Sequence, residues 1–198
     1  MMNIYEPYIE ALHKQLRLID KSLVDRLAYD LFSIWCKSSR VFICGNGGSA
    51  ANAIHISNDF SYGINPDGKA LDVEALTANT AIISCLANDT SYEHVFSHQL
   101  RSKAKKGDLL IVLSGSGNSP NIISAVIEGK KKGVKVYGIF GFSGGAAKTL
   151  VDVCIHTPVN DMQVAEDIQL IIGHWLMRHL FQKIQEFIGE QENDRNRI

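Results

Sequence analysis

The sequence has no excess of charge of either sign: 20 lysines and arginines stand against 21 aspartates and glutamates, a formal charge of -1 at pH 7. Without a basic field nothing holds a polyanion non-specifically, which excludes general nucleic-acid binding as a first reading. Long apolar runs are missing too. Leu109-Leu110-Ile111-Val112-Leu113 falls far short of the roughly 18–20 residues that span a bilayer, and Met1-Met2-Asn3-Ile4 leads into no signal-like core. These absences predict a cytoplasmic protein. Cysteine is scarce: Cys36, Cys44, Cys85 and Cys154 form no CxxC pair. Three of them sit in apolar stretches, where the thiol acts as a small hydrophobe, so they read as reduced core residues rather than disulfides or metal ligands. A nucleotide P-loop is also lacking, because residues 141–149 end in Lys148-Thr149 without a glycine before the lysine.

What is present is 198 residues, 45% of them hydrophobic, enough for one buried core. Ile9, Leu12, Leu16, Ile19, Leu23, Leu27 and Leu31 recur at helical spacing, predicting one or two helices over residues 4–36 with a weak break near 19–22. From Val41 the pattern changes to short apolar strands, each followed by a glycine- or serine-rich turn and a helical stretch. Strands are predicted at 41–44, 72–76, 109–113, 135–140 and 153–156, and helices at 49–60, 79–88, 92–103, 119–132 and 162–187. Such alternation implies an α/β fold, a three-layer doubly wound parallel sheet of five strands with helices on both faces. One domain over 1–188 and a frayed polar tail over 189–198 complete the expectation.

In a doubly wound sheet ligands sit beyond the carboxyl ends of the strands, which directs attention to two turns there. Gly45-Asn46-Gly47-Gly48-Ser49-Ala50 lets the backbone turn tightly and aims amides and a hydroxyl over the next helix N-terminus. Ser114-Gly115-Ser116-Gly117-Asn118-Ser119-Pro120 brings three hydroxyls ahead of a proline suited to the first turn of a helix. Hydroxyls and amides at positive helix ends form an anion cradle that needs no lysine, and a phosphate monoester fits it. The first turn also matches G-x-G-x-x-A, a variant of the dinucleotide fingerprint, with Asp72 or Glu74 placed for a ribose. One phosphate held by Ser49, Ser114, Ser116 and Ser119 uses both turns, whereas a dinucleotide leaves the second without a role.

His55 and Asp59 lie four apart on the helix opened by the first turn and share a face, a pattern that suits a divalent cation, acid–base work or a surface ion pair. The last helix carries Glu166 and His174 among Ile168, Leu170, Ile171, Ile172, Trp175 and Leu176, and ionisable groups among such neighbours are costly unless paired. Eight residues of helix separate the pair by about 12 Å. Converging on one ion would stretch both side chains, a strain that ligands from a second chain would relieve. His13, His156 and His179 read as surface or packing residues, and His94 and His98 as a spaced pair on a polar helix.

Together these residues resemble the sugar isomerase (SIS) domain family, and within it the phosphoheptose isomerase branch. The resemblance runs over nearly the whole chain: the N-terminal helical segment, Cys44-Gly45-Asn46-Gly47-Gly48-Ser49, the helix with His55, Leu86-Ala87-Asn88-Asp89, Ser114-Gly115-Ser116-Gly117-Asn118-Ser119 and the final helix. It implies a flavodoxin-like SIS fold, a homotetramer with active sites between subunits, and phosphate contacts from the serines with Asn46 and Gly47 beside them. The implied reaction is aldose–ketose isomerisation of sedoheptulose 7-phosphate through an enediol, serving heptose synthesis for a lipopolysaccharide or capsule. The family's His, Glu, Gln and His are matched here by His55, Asp59, Glu166 and His174, so two of the four are changed. Aspartate is shorter and Glu166 adds a negative charge, a set suited to one divalent cation per subunit, zinc by its ligand types. The implied roles are Asp59 as base or metal ligand, His174 as acid–base partner and metal ligand, His55 and Glu166 as metal ligands, and Asp89 on the sugar hydroxyls. Gly63 stands close to where heptose-specific members carry arginine. The same branch includes non-catalytic DiaA-like members that bind the replication initiator, and a sugar-phosphate sensor is a third reading.

Overall fold

Five short strands form one parallel sheet in the computed structural model, which describes residues 4–195. They are β1 (Arg40–Cys44), β2 (Asp72–Ala75), β3 (Leu109–Ser114), β4 (Lys135–Phe140) and β5 (Val153–His156), in the order β2-β1-β3-β4-β5. Every strand lies within one residue of its predicted span. β3 is buried at all six positions and β4 at five of six, as central strands covered on both faces require. Asp108, itself buried, accepts from the Arg40 and Lys105 amides and ties β1 to β3 at the end of the sheet away from the serine turns.

Among the described residues seven α-helices flank the sheet: α1 (Tyr5–Leu18), α2 (Lys21–Lys37), α3 (Gly48–Asn58), α4 (Thr80–Asp89), α5 (Ser97–Lys103), α6 (Pro120–Lys131) and α7 (Met162–Arg195). The predicted break near 19–22 separates α1 from α2, where Asp20 caps α2 by accepting the Ser22 amide at 3.0 Å. One face is covered by α2, α3 and α7, joined in a single apolar cluster with α1 packed against it; α5 and α6 cover the other. On α7 a buried stripe recurs every fourth residue, at Val164, Ile168, Ile172, Leu176, Leu180 and Ile184, the spacing that keeps side chains on one helix face. Tyr8 of α1 donates to Asp167 of α7 at 2.5 Å, a bond that pushes the phenol up to about 12.

Three expectations change. The helix predicted over 92–103 is two pieces, a one-turn 3-10 segment Tyr92–His94 and then α5, because Val95 and Phe96 turn into the core between them. The tail is not frayed from residue 189: α7 continues to Arg195, through residues such as Glu190, Gln191 and Glu192 that favour helix. Residues 196–198 lie outside the described span. Among the described residues no two cysteines pair, yet only Cys44 is a fully buried one; Cys36 near the end of α2 and Cys85 on α4 are exposed, and Cys154 is half-buried. No described helix is long and apolar enough to cross a membrane.

Candidate functional site

The chain leaves β1 for β2 on one side of it, and the sheet continues to β3 on the other. A crevice therefore opens at the carboxyl ends of β1 and β3, where both glycine–serine turns begin. At Gly47 φ is +55°, and at Gly117 it is +66°, conformations that glycine adopts without a Cβ penalty. At Gly117 a side chain is excluded a second time, since a Cβ there would lie 1.9 Å from the Gly144 carbonyl oxygen.

The two turns line one cavity of about 250 Å³, into which Asn46, Ser49, Ser114, Ser116, Ser119 and Glu166 project. Ser114 Oγ accepts the Gly117 amide at 3.0 Å and Ser116 Oγ accepts the Asn118 amide at 3.3 Å, so each hydroxyl hydrogen can be turned to a ligand. Ser119 stands at the N-cap of α6 without its side chain capping the helix, which leaves that hydroxyl to the cavity. The buried Cys44 thiol, just before the first turn, is pushed up by desolvation and stays protonated.

A half-buried amide pair holds the turns together, and motif reading found only one of its members, Asn46. Asn46 and Asn121 donate to each other's side-chain oxygens at 2.8 Å, and the Tyr92 hydroxyl adds a 3.0 Å bond to Asn46. Asn121, 1% exposed, follows Pro120 in the first turn of α6; a polar residue on the inward face of an apolar helix was the available signal. Asn121→Ala should leave the Asn46 Nδ2 without this partner and cost about 1–3 kcal/mol. The expected result is a lower urea midpoint together with a higher KM for a phosphorylated substrate; an unchanged midpoint would refute the tie.

The second cluster lies along α3 from the first. Six residues of α3 carry the chain about 9 Å from Ser49 to His55, and the helix then passes into a π-helical turn, Asp59–Gly63, a distortion common at functional sites. α7 runs parallel beside α3. Glu166 meets Ser49, Gln169 meets Asn52, Gly173 meets Ile56 and His174 meets His55. His55 Nε2 and His174 Nε2 are 3.0 Å apart, and Asp59 Oδ2 is 3.5 Å from the first and 3.7 Å from the second. A zinc ion about 2.0–2.2 Å from tetrahedral N and O ligands spaces them about 3.3–3.5 Å apart, close to this triangle. Three residues of one chain could thus hold one ion together, and the strain expected for a cluster carried by α7 alone does not arise for them.

Glu166 is not in that group. Its Oε1 accepts the Ser49 amide at 3.1 Å, while Asn52 Nδ2 bonds its carbonyl at 2.8 Å and the Gln169 side chain at 3.2 Å. Asp89, at the end of α4, does not line the serine cavity. Asn88 and the Cys85 thiol both donate to its carboxylate and hold it below the usual carboxylate range. The remaining histidines are packing or surface groups as expected. His13 accepts from Arg17, His94 stacks on His98, and His156 sits between Lys148 and the Phe142 carbonyl.

Comparison with known proteins adds the following. Residues 5–141 match the SIS domain family model. A phosphoheptose isomerase of Maridesulfovibrio salexigens is 32% identical over 96% of this chain and 89% of that protein, and one of Aneurinibacillus thermoaerophilus is 37% identical over 77% of each. The solved structure of a phosphoheptose isomerase from Francisella tularensis superposes with a TM-score of 0.85 at 26% identity, covering 90% of this chain and 94% of that one.

Proposed function

The chain belongs to the SIS domain family, among the phosphoheptose isomerases, and from that premise we propose that it interconverts sedoheptulose 7-phosphate and a D-glycero-heptose 7-phosphate. The observation that carries the reading is the His55–Asp59–His174 triangle on the same helix pair as the serine cavity. Their separation of about 9 Å along α3 suits a sugar held by its phosphate at one end and attacked at the other.

Ser49, Ser114, Ser116 and Ser119 bind the phosphoryl oxygens, and binding energy at that remote end positions the reacting carbons. Going from ketose to aldose, Asp59 takes the C1 proton while His174 gives a proton to the C2 oxygen, leaving the enediol. The O1 proton is then released as a proton is returned to C2, and the carbonyl now stands at C1. His55, Asp59 and His174 are the residues that would hold a divalent cation, zinc by donor type and one per subunit, and what it would supply when bound is polarisation of the carbonyl.

We place the protein in the cytoplasm as a homotetramer with sites near subunit contacts. Supporting this, α4 is apolar yet has no buried residue in the single chain, and Val24, Ala28, Trp175 and Leu176 line an open groove of about 340 Å³ between α2 and α7. The test is incubation of sedoheptulose 7-phosphate in heavy water. Deuterium should enter the sugar at C1 or C2, the rate should fall at least a hundredfold after chelation, and added zinc should restore it. Tight binding without exchange would overturn the enzyme in favour of a non-catalytic member of the family.

A further inference from the structure

Among the described residues the serine cavity carries a single ionisable lining residue, and it has the wrong sign for an anion: no described lysine or arginine lines it, whereas the Glu166 carboxylate does. The carboxylate is also seated on a backbone donor that an incoming phosphoryl group would use, with Oε1 on the Ser49 amide at 3.1 Å. It lies so close to the α3 backbone that a Cβ on Gly48 would come within 2.2 Å of Oε2. The Glu166 backbone carbonyl is held by Asn52, one turn further along α3, so the side chain, not the helix, is the part free to yield.

On the reading of this cavity as the phosphate site, we infer that Glu166 is a specificity residue that competes with phosphoryl groups for the Ser49 amide and so selects against ligands that offer a phosphate and nothing more. Two negative charges a few ångströms apart at a partly buried site repel strongly. A ligand must therefore displace or tolerate the carboxylate. Inorganic phosphate has only the cradle to offset that cost. A sugar phosphate also contacts the His55–Asp59–His174 end, and the added contacts offset it. Discrimination then arises from a repulsive element as well as attractive ones.

The experiment is calorimetric titration of inorganic phosphate into the full-length protein and its Glu166→Gln and Ser116→Ala variants at one pH and ionic strength. Glutamine keeps the shape and an oxygen for the Ser49 amide while removing the charge, so Glu166→Gln should bind phosphate about tenfold more tightly. The same substitution should narrow the preference for a sugar phosphate over inorganic phosphate by a similar factor. Ser116→Ala should weaken phosphate in either background. Equal phosphate affinity in wild type and Glu166→Gln, with Ser116→Ala still weakening both, overturns the competition and leaves the cradle standing. Phosphate binding that Ser116→Ala does not change overturns the cradle itself and this inference with it.

Discussion

His174→Ala is expected to lower kcat on sedoheptulose 7-phosphate by about 10³-fold, within the range by which positioned acid–base groups contribute. The imidazole is one corner of the triangle, 3.0 Å from His55 and 3.7 Å from Asp59, and in the proposed mechanism its removal deletes both the proton donor to the C2 oxygen and one of the three groups that would hold a cation. Its side chain is 45% exposed, so the fold should lose at most about 1 kcal/mol. The two readouts separate chemistry from stability. Asp59→Ala should cost a comparable factor, and the double variant should be little worse than either single one, because groups acting as a unit are not additive. Turnover within tenfold of wild type in His174→Ala would remove this side chain from the reaction.

Gly173→Ala should be nearly as damaging to turnover while barely touching the histidine chemistry itself. A Cβ at 173 would sit 2.5 Å from Ile56 Cγ1 and 2.8 Å from Cδ1, and Ile56 is buried. α7 must then move off α3 at the residue next to His174. Alanine in a helix gains about 1 kcal/mol over glycine, against about 1–3 kcal/mol for overpacking, so net stability should change by no more than about 2 kcal/mol. The separation of His174 from His55 and Asp59 is far less tolerant, since about 1 Å of misplacement can cost about a hundredfold. The expected result is a kcat near one hundredth of wild type in a folded protein. Ile56→Ala, which deletes the colliding atoms, should restore part of it in the double variant; no rescue would show that the close approach of α3 and α7 does not set the site.

Particular residues mark how far the sequence could be read. The central strands β1, β3 and β4 were legible because each is a short apolar run bounded by glycine or serine, and burial on both faces forces that pattern, whereas the edge strands β2 and β5 are only partly buried. The serine turns were legible because tight turns at strand ends restrict residue type, as Gly47 and Gly117 do. Helix boundaries were less so. The helix at 92–103 looked continuous until burial of Val95 and Phe96 bent it, and the polar residues after 188 gave no sign that α7 would continue. Cysteine burial failed for Cys36 and Cys85 because apolar neighbours along the chain do not say which face of a helix a thiol occupies.

Local spacing alone thus determined the sheet, the two glycine–serine turns and the shared face of His55 and Asp59, because turns, strands and i, i+4 neighbours are properties of a few consecutive residues. Which distant groups would meet was decided only by tertiary packing. The parallel run of α7 beside α3 placed His174 against His55 and Asp59 across more than a hundred positions of chain, and it seated Glu166 on the Ser49 amide rather than in that triangle. It also paired Asn121 with Asn46. The choice among such contacts depends on how two helices lie on one sheet, a geometry set by the whole core and written in no single motif.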